Sequence, residues 1–378
     1  MIVKSLELEN FRNIKSASFT FSDNVNIISG NNAQGKTNLM EALAVSMEKS
    51  FRTVKAAEML PKDESCGKKT VINTDFIVDK YPDKVNKLAC NVSNKGIFRK
   101  INGVNYKDAI KLYPQLKSIV FIPEDIYIVK GSPESRREIL DETVDMINKI
   151  HHNMVIKYQR ILKQKNALLS RFEGMNITLS AREQLYSWNE ELAKAGINVM
   201  AGRLKYFNTF CKYVCEYYNK LNNSGEILSA GYFNSIMKSH EYSLSDPDTM
   251  FNIYYEELNK HLDKELIVGH TLVGVHRDDI CFFIDNKPVK EFASQGQVRS
   301  IAVAIRLAQA KIFRKKWAES PIIILDDVLS ELDSYRRGFI LQHIVGSQVF
   351  ITGCNVNDFN NIPSPSRWTA EKGMFTKI

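Results

Sequence analysis

Residues 30 to 37, Gly30-Asn31-Asn32-Ala33-Gln34-Gly35-Lys36-Thr37, fit the pattern G-x-x-x-x-G-K-[ST]. The acidic strand that such a loop needs stands near the other end of the chain, in Ile322-Ile323-Ile324-Leu325-Asp326-Asp327. Nothing else restricts the fold as much. If both pieces serve one nucleotide site, the two ends must fold together around everything between them. The loop has the flanks it requires, a strand-like run over 25–29 before it and a helical run over 38–45 after it. Glycine lets the backbone turn its N–H groups toward an anion, and the helix N-terminus adds partial positive charge. Lys36 would then reach the β- and γ-phosphates, and Thr37, next to Asn38, would ligate Mg²⁺.

With 378 residues, two domains are expected. No apolar run approaches the length of a membrane span, and 1–10 reads as a strand carrying Lys4, Glu7 and Glu9. A signal peptide and a membrane anchor are therefore not expected. The cysteines, Cys66, Cys90, Cys211, Cys215, Cys281 and Cys354, form no C-x-x-C pair, which argues against a zinc site or a disulfide framework and for a cytoplasmic location. Cys211 and Cys215 share a helix face but read as core residues. A net charge of +8 favours a polyanionic partner.

Strands are predicted over 2–9, 17–22 and 25–29, with the loop helix running to about Lys49. The segments 70–79, 86–93 and 96–101 read as antiparallel hairpins, punctuated by Tyr81-Pro82-Asp83 and Asn102-Gly103. Ile119-Val120-Phe121-Ile122 reads as a buried strand ended by Pro123. The pattern then turns helical, over 133–172 and again over 181–221, with Gly174 in the turn between the two helices. A helix of about 40 residues spans about 60 Å, so this pair predicts a short arm and not a long rod. A less regular stretch, 222–263, contains another helical run over 249–261, and β structure is expected again at Thr271-Leu272-Val273 and 280–284.

Between Met146 and Phe172 there is no carboxylate. At 100° per residue Lys149, Lys157, Arg160, Lys163 and Arg171 fall on one face, with Ile150, Met154, Tyr158, Ile161 and Leu169 opposite. A solvated charged face and a phosphate-contacting face both fit this pattern. His151-His152 lacks metal-ligand spacing and is expected to meet solvent or phosphate. Ahead of the acidic strand, Ser294-Gln295-Gly296-Gln297 precedes a helical run over 298–313 and places a hydroxyl and an open backbone at a helix N-terminus. In this setting Asp326 would hold Mg²⁺, directly or through water, and Asp327 would orient or deprotonate the attacking water.

Taken together, these motifs resemble the ABC-type ATPase heads of the SMC group, and within it the RecF family. The resemblance rests further on Leu8-Glu9-Asn10-Phe11-Arg12-Asn13, on Phe121-Ile122-Pro123-Glu124-Asp125 with Lys130-Gly131-Ser132-Pro133 and Arg136-Arg137, and on His276-Arg277-Asp278-Asp279. It continues in Leu329-Ser330-Glu331-Leu332-Asp333 with Arg336-Arg337. It implies an α/β fold, an ABC-type P-loop ATPase head with an antiparallel β subdomain over 1–122 and 270–378, and a mainly helical arm domain inserted over 123–269.

The resemblance also implies a weak, DNA-stimulated ATPase that uses ATP and Mg²⁺ and closes as an ATP-dependent homodimer on DNA, at single-strand/double-strand junctions or gaps. RecR and RecO would be its partners in loading recombinase and supporting stalled-fork repair. Gly30 to Asn38 would bind the nucleotide, with Arg12 and Arg52 approaching its phosphates. Ser294, Gly296 and Gln297 would cap the nucleotide of the second subunit, and 330–333 would lie at the interface. Three departures stand out: Glu124-Asp125 where a glutamine is usual, Asp327 where glutamate is usual, and Thr352-Gly353 where many ABC proteins carry histidine. A non-hydrolysing nucleotide-dependent scaffold and another SMC-like repair ATPase remain as alternatives. A small-molecule kinase would have no use for Ser294 to Gln297.

Overall fold

A computed structural model describes residues 1–48, 55–61, 69–114, 116–175, 177–222, 225–237, 246–354, 359 and 362–378. Arg52, Cys66 and the expected end of the loop helix at Lys49 lie outside these residues. By packing, the chain divides into two compact units, one of Met1–Asp125 with Ile305–Ile378 and one of Ile126–Ala304. The segment 126–269 of the expected arm belongs to the second unit, which also takes in 270–304.

The first unit opens with β1 (Ile2–Phe11), β2 (Ile14–Thr20), β3 (Val25–Ser29), α1 (Lys36–Met47), β4 (Lys69–Val78), β5 (Tyr81–Ser93), β6 (Gly96–Ile101), β7 (Val104–Asn105), α2 (Tyr106–Ala109) and β8 (Ser118–Phe121). An antiparallel sheet forms in the order β2-β1-β4-β5-β6-β7. The β4–β5 turn is at Asp79-Lys80, two residues ahead of the expected Tyr81-Pro82-Asp83, which instead begin β5. At the β6–β7 turn, Asn102 and Gly103 both have positive φ, 51° and 83°, as a two-residue hairpin requires.

The second unit contains α3 (Ile126–Lys130), α4 (Pro133–Ile147), α5 (Lys149–Phe172), α6 (Leu179–Leu221), β9 (Leu228–Phe233), α7 (Pro247–Val268), β10 (Asp279–Ile284), β11 (Lys287–Pro288) and α8 (Val289–Phe292). α9 (Gln295–Trp317) carries the chain back to the first unit. The helix expected over 133–172 is broken at Asn148, whose extended backbone (φ −133°) ends α4 and whose side chain caps α5 by accepting from Ile150 N–H at 3.3 Å. Thr271-Leu272-Val273 forms no strand. Its polar groups go to side chains: Thr271 N–H to Asn166 Oδ1 (2.9 Å) and Leu272 N–H to Glu265 Oε1 (2.9 Å). β10 pairs antiparallel with the short β11 on one side and on the other with β9, within a stretch the sequence left irregular.

Among the described residues this unit combines apolar clusters with a chain of buried polar contacts. Tyr158, Leu192, Val199, Met200, Tyr254 and Leu258 belong to one cluster, and Leu169, Leu185, Leu262 and Leu266 make a smaller one. His151, expected at the surface, is fully buried and pairs through Nε2 with Asp141 at 2.8 Å; Arg203 grips the same carboxylate with two 2.8 Å bonds. Arg136 makes an equivalent fork on Asp279. Such forks satisfy both oxygens of a carboxylate that burial would otherwise penalise.

The rest of the first unit adds β12 (Ile322–Leu325), α10 (Ser334–His343), β13 (Val349–Gly353), β14 (Ser366–Glu371) and β15 (Met374–Lys377). The second sheet of this unit runs β15-β14-β3-β13-β12-β8, parallel throughout except for the β14–β15 hairpin. Both sheets and α1 contribute to one core, with Leu6, Phe19, Leu39, Leu43, Ile72, Phe76, Ile324 and Phe350 all buried. At about 2 kcal/mol per buried large apolar side chain, this core is what joins the ends of the chain.

Candidate nucleotide site

The loop from Gly30 to Gly35 leaves β3 and enters α1 at Lys36. Gly30 (φ 148°), Ala33 (φ 64°) and Gly35 (φ 108°) give it its curl. Gly30 is fixed by closeness as well: a Cβ there would lie 2.4 Å from Ala370 O on β14. Gln34 is held by the β14–β15 turn, its Oε1 accepting from Lys372 N–H (2.6 Å) and its carbonyl from Gly373 N–H (3.0 Å). Asn13 packs on Gly35 and accepts from Asn38 Nδ2 at 2.8 Å. Asn31, Asn32 and Ala33 form the exposed crest, where Cys354 Sγ donates to Asn32 Oδ1.

Lys36 is 4% exposed, and its Nζ donates to Gly30 O (2.8 Å) and Asn31 O (2.9 Å). The ammonium therefore sits under the loop's own arch. The loop and the acidic strand, written at opposite ends of the sequence, meet directly: Thr37 Oγ1 donates to Asp326 Oδ1 at 3.1 Å. Asp326 follows β12 and is nearly buried. β13 lies between β3 and β12, so Thr352 at its end reaches both aspartates. Its hydroxyl donates to Asp326 Oδ1 (2.7 Å) and accepts from Asp327 N–H (3.0 Å).

Asp327 has a left-handed backbone (φ 55°), a conformation that costs a non-glycine residue about 1–3 kcal/mol and recurs at functional sites. Its carbonyl accepts from Ser330 Oγ at 2.7 Å, and its Oδ1 is buried with no partner among the described residues. A hydroxyl and a carboxylate in contact are hard oxygen donors suited to Mg²⁺, and the unsatisfied Oδ1 is suited to a water.

Arg12, expected to approach the phosphates, is engaged by a carboxylate of the first unit. From the end of β1 it pairs with Glu41 of α1, Nε to Oε2 at 2.5 Å, and Glu41 is fully buried. Asp125, at the junction where a glutamine is usual, is likewise engaged: Arg306 grips it with bonds of 2.6 and 3.1 Å. Neither role is visible in sequence, because each partner is remote.

Ser294 and Gln297 belong to the second unit and form a reciprocal cap on α9. Gln297 N–H donates to Ser294 Oγ (3.2 Å), and Ser294 N–H donates to Gln297 Oε1 (2.7 Å). Gln297 Nε2 is tied to Glu226 Oε1 at 2.9 Å, and Gly296 O accepts from Ser300 Oγ. On α5, Lys157, Arg160, Lys163 and Arg171 are exposed, while Lys149 is half-buried and engaged. Ile150, expected to pack, is 62% exposed, and Lys165 is fully buried against Glu265, Nζ to Oε2 at 2.6 Å. Among the described residues no group of three or more His, Cys, Asp or Glu side chains could hold a metal, and no helix is long and apolar enough to cross a membrane.

A family model described as the RecF/RecN/SMC N terminal domain matches residues 2–376. The DNA replication and repair protein RecF of Bacillus cytotoxicus is 34% identical over 359 residues, covering 94% of this chain and 93% of its own. Its counterpart from Bacillus mycoides is 33% identical over 358 residues, with 94% and 92% covered. A solved structure of the recombination mediator protein RecF-ATP in the RecFOR pathway superposes with a TM-score of 0.87 at 28% identity, over 100% of this chain and 97% of that one. The Smc head domain of Pyrococcus furiosus bound to the C-terminal domain of ScpA shares the fold, with a TM-score of 0.54 at 15% identity over 100% and 96%.

Proposed function

The chain belongs to the RecF family of SMC-like ABC-type ATPases, and from that premise we propose that it is an ATP-dependent DNA-binding protein of recombinational repair. The observation that carries the reading is the contact of Thr37 with Asp326, beside an Asp327 whose Oδ1 is buried and unpaired. ATP binds with its phosphates over Gly30 to Asn38, drawing Lys36 from the loop carbonyls to the β- and γ-phosphates. Thr37 and Asp326 would hold Mg²⁺, which would offset charge on the phosphates. Asp327 orients the attacking water with its free Oδ1 and takes a proton from it.

A shared solved fold with the RecF-ATP structure supports the nucleotide assignment. The second subunit completes the site: Ser294 and Gly296 at the start of α9 meet the partner's γ-phosphate, where a helix N-terminus suits an anion. ATP thus favours the homodimer by binding it more tightly than the monomer, and hydrolysis releases it. DNA lies against basic surface that includes Lys157, Arg160 and Lys163, at single-strand/double-strand junctions or gaps, with RecR and RecO as partners in a cytoplasmic recombinase-loading pathway.

Phosphate release with and without DNA tests the activity. Slow turnover that DNA accelerates, and that Asp327→Asn abolishes, is expected. ATP binding without any release would favour the alternative of a non-hydrolysing scaffold.

A further inference from the structure

Resting on the ATPase reading above, we infer that Thr352 is the positioning residue of the site, one hydroxyl that sets both aspartates. A hydroxyl has one proton and lone pairs to accept with. Here the proton goes to Asp326 Oδ1 at 2.7 Å and a lone pair takes Asp327 N–H at 3.0 Å, so the group is committed in both directions. Thr352 is 1% exposed, and β branching leaves its side chain few rotamers. The hydroxyl cannot turn toward a phosphate without releasing both aspartates.

Two consequences follow from where those bonds end. Asp326 Oδ1 receives a second hydroxyl, from Thr37 at 3.1 Å, so Thr352 orients the same oxygen that faces the Mg²⁺ ligand Thr37. The peptide of Asp327 is held at its N–H by Thr352 and at its carbonyl by Ser330 Oγ, which maintains a left-handed backbone that aspartate would otherwise leave. Asp327 Oδ1 is buried and without a partner among the described residues, an acceptor left open for a water. Thr352 touches no reacting atom; it acts through Asp326 and Asp327.

The test is steady-state ATP hydrolysis and the Mg²⁺ dependence of ATP binding in the full chain, for wild type, Thr352→Val, Thr352→Ser and Thr352→Ala. Valine keeps the shape and loses the hydroxyl; serine keeps the hydroxyl. Losses of about 10–100-fold are usual when an outer partner of a metal ligand is removed. Thr352→Val is expected to lower kcat by about that factor with KM for ATP changed less than about threefold, and to raise half-saturating Mg²⁺ about tenfold. Thr352→Ser is expected to restore both, and Thr352→Ala reports the same losses if valine impairs folding. Unchanged kcat and Mg²⁺ dependence in Thr352→Val, or a serine variant as impaired as valine, overturns the inference. If the wild type binds ATP without turnover, the ATPase reading fails by itself, and Mg²⁺ dependence still decides the role of Thr352.

Discussion

Lys165 on α5 and Glu265 on α7 face each other with Nζ 2.6 Å from Oε2, and both side chains are completely buried. The carboxylate is shared with the backbone, since Leu272 N–H donates to its Oε1. Removing one partner of such a pair leaves an uncompensated buried charge and costs about 3–5 kcal/mol. Lys165→Met is therefore expected to lower the stability of the second unit by about that amount, measured by urea unfolding. Lys165→Met combined with Glu265→Gln should recover part of the loss, because the stranded charge is gone. A single variant as stable as wild type would mean that the pair is open to water.

Two glycines of α6 reverse the usual helix rule. Glycine to alanine in a helix ordinarily gains up to about 1 kcal/mol. At Gly196, however, a Cβ would lie 2.4 Å from the Tyr254 hydroxyl, and at Gly202 it would lie 2.5 Å from His151 Nδ1. Overpacking of this kind costs about 1–3 kcal/mol. Gly196→Ala and Gly202→Ala are each expected to lower Tm; a rise at either position would show that the ring moves aside freely.

Burial holds the His276 imidazole far below its ordinary 6.5, at about 3, with Tyr158 Oη against its Nδ1 at 2.7 Å. Above pH 6.5 both the folded and unfolded chains carry it neutral, and its contribution to stability is complete. Below that pH the unfolded chain binds a proton that the fold refuses, so stability falls between about 6.5 and about 3. His276→Asn should flatten the pH dependence of unfolding free energy in that window. An identical slope in the variant would assign the dependence to other groups.

For the basic face of α5, salt dependence is the informative readout. Each phosphate neutralised adds about 0.9 to the slope of log K against log salt on double-stranded DNA. Replacing Lys157, Arg160 and Lys163 together by Glu is expected to weaken binding across sequences and to reduce the slope by about 2–3. A slope equal to that of wild type would move the DNA surface off α5.

The loop and the acidic strand of the candidate site were legible because their residues are local and chemically narrow. Gly30 to Thr37 specify a loop between β3 and α1, and Ile322 to Asp327 specify a buried strand ending in carboxylates. Their meeting could be inferred but not their intermediary. Nothing local reveals that β13 separates β3 from β12, and only that order brings Thr352 to both aspartates. The second unit was read less well, for the same reason. Asn148 breaks a continuous helical pattern without Pro or Gly, so its capping role looks like any exposed Asn. Nothing in the sequence sets Lys165 apart, because Glu265 is a hundred residues away. His151 looked exposed beside His152 because Asp141 and Arg203 are on other helices.

Sedimentation velocity with and without ATP and Mg²⁺ tests most directly whether one chain holds half of each nucleotide site. The wild type should shift from monomer to dimer with ATP. Ser294→Arg should bind ATP with affinity near that of wild type and stay monomeric, since Ser294 serves the partner's nucleotide, and Lys36→Ala should lose both. A wild type that remains monomeric at saturating ATP, or a Ser294→Arg variant that dimerises normally, would contradict the account.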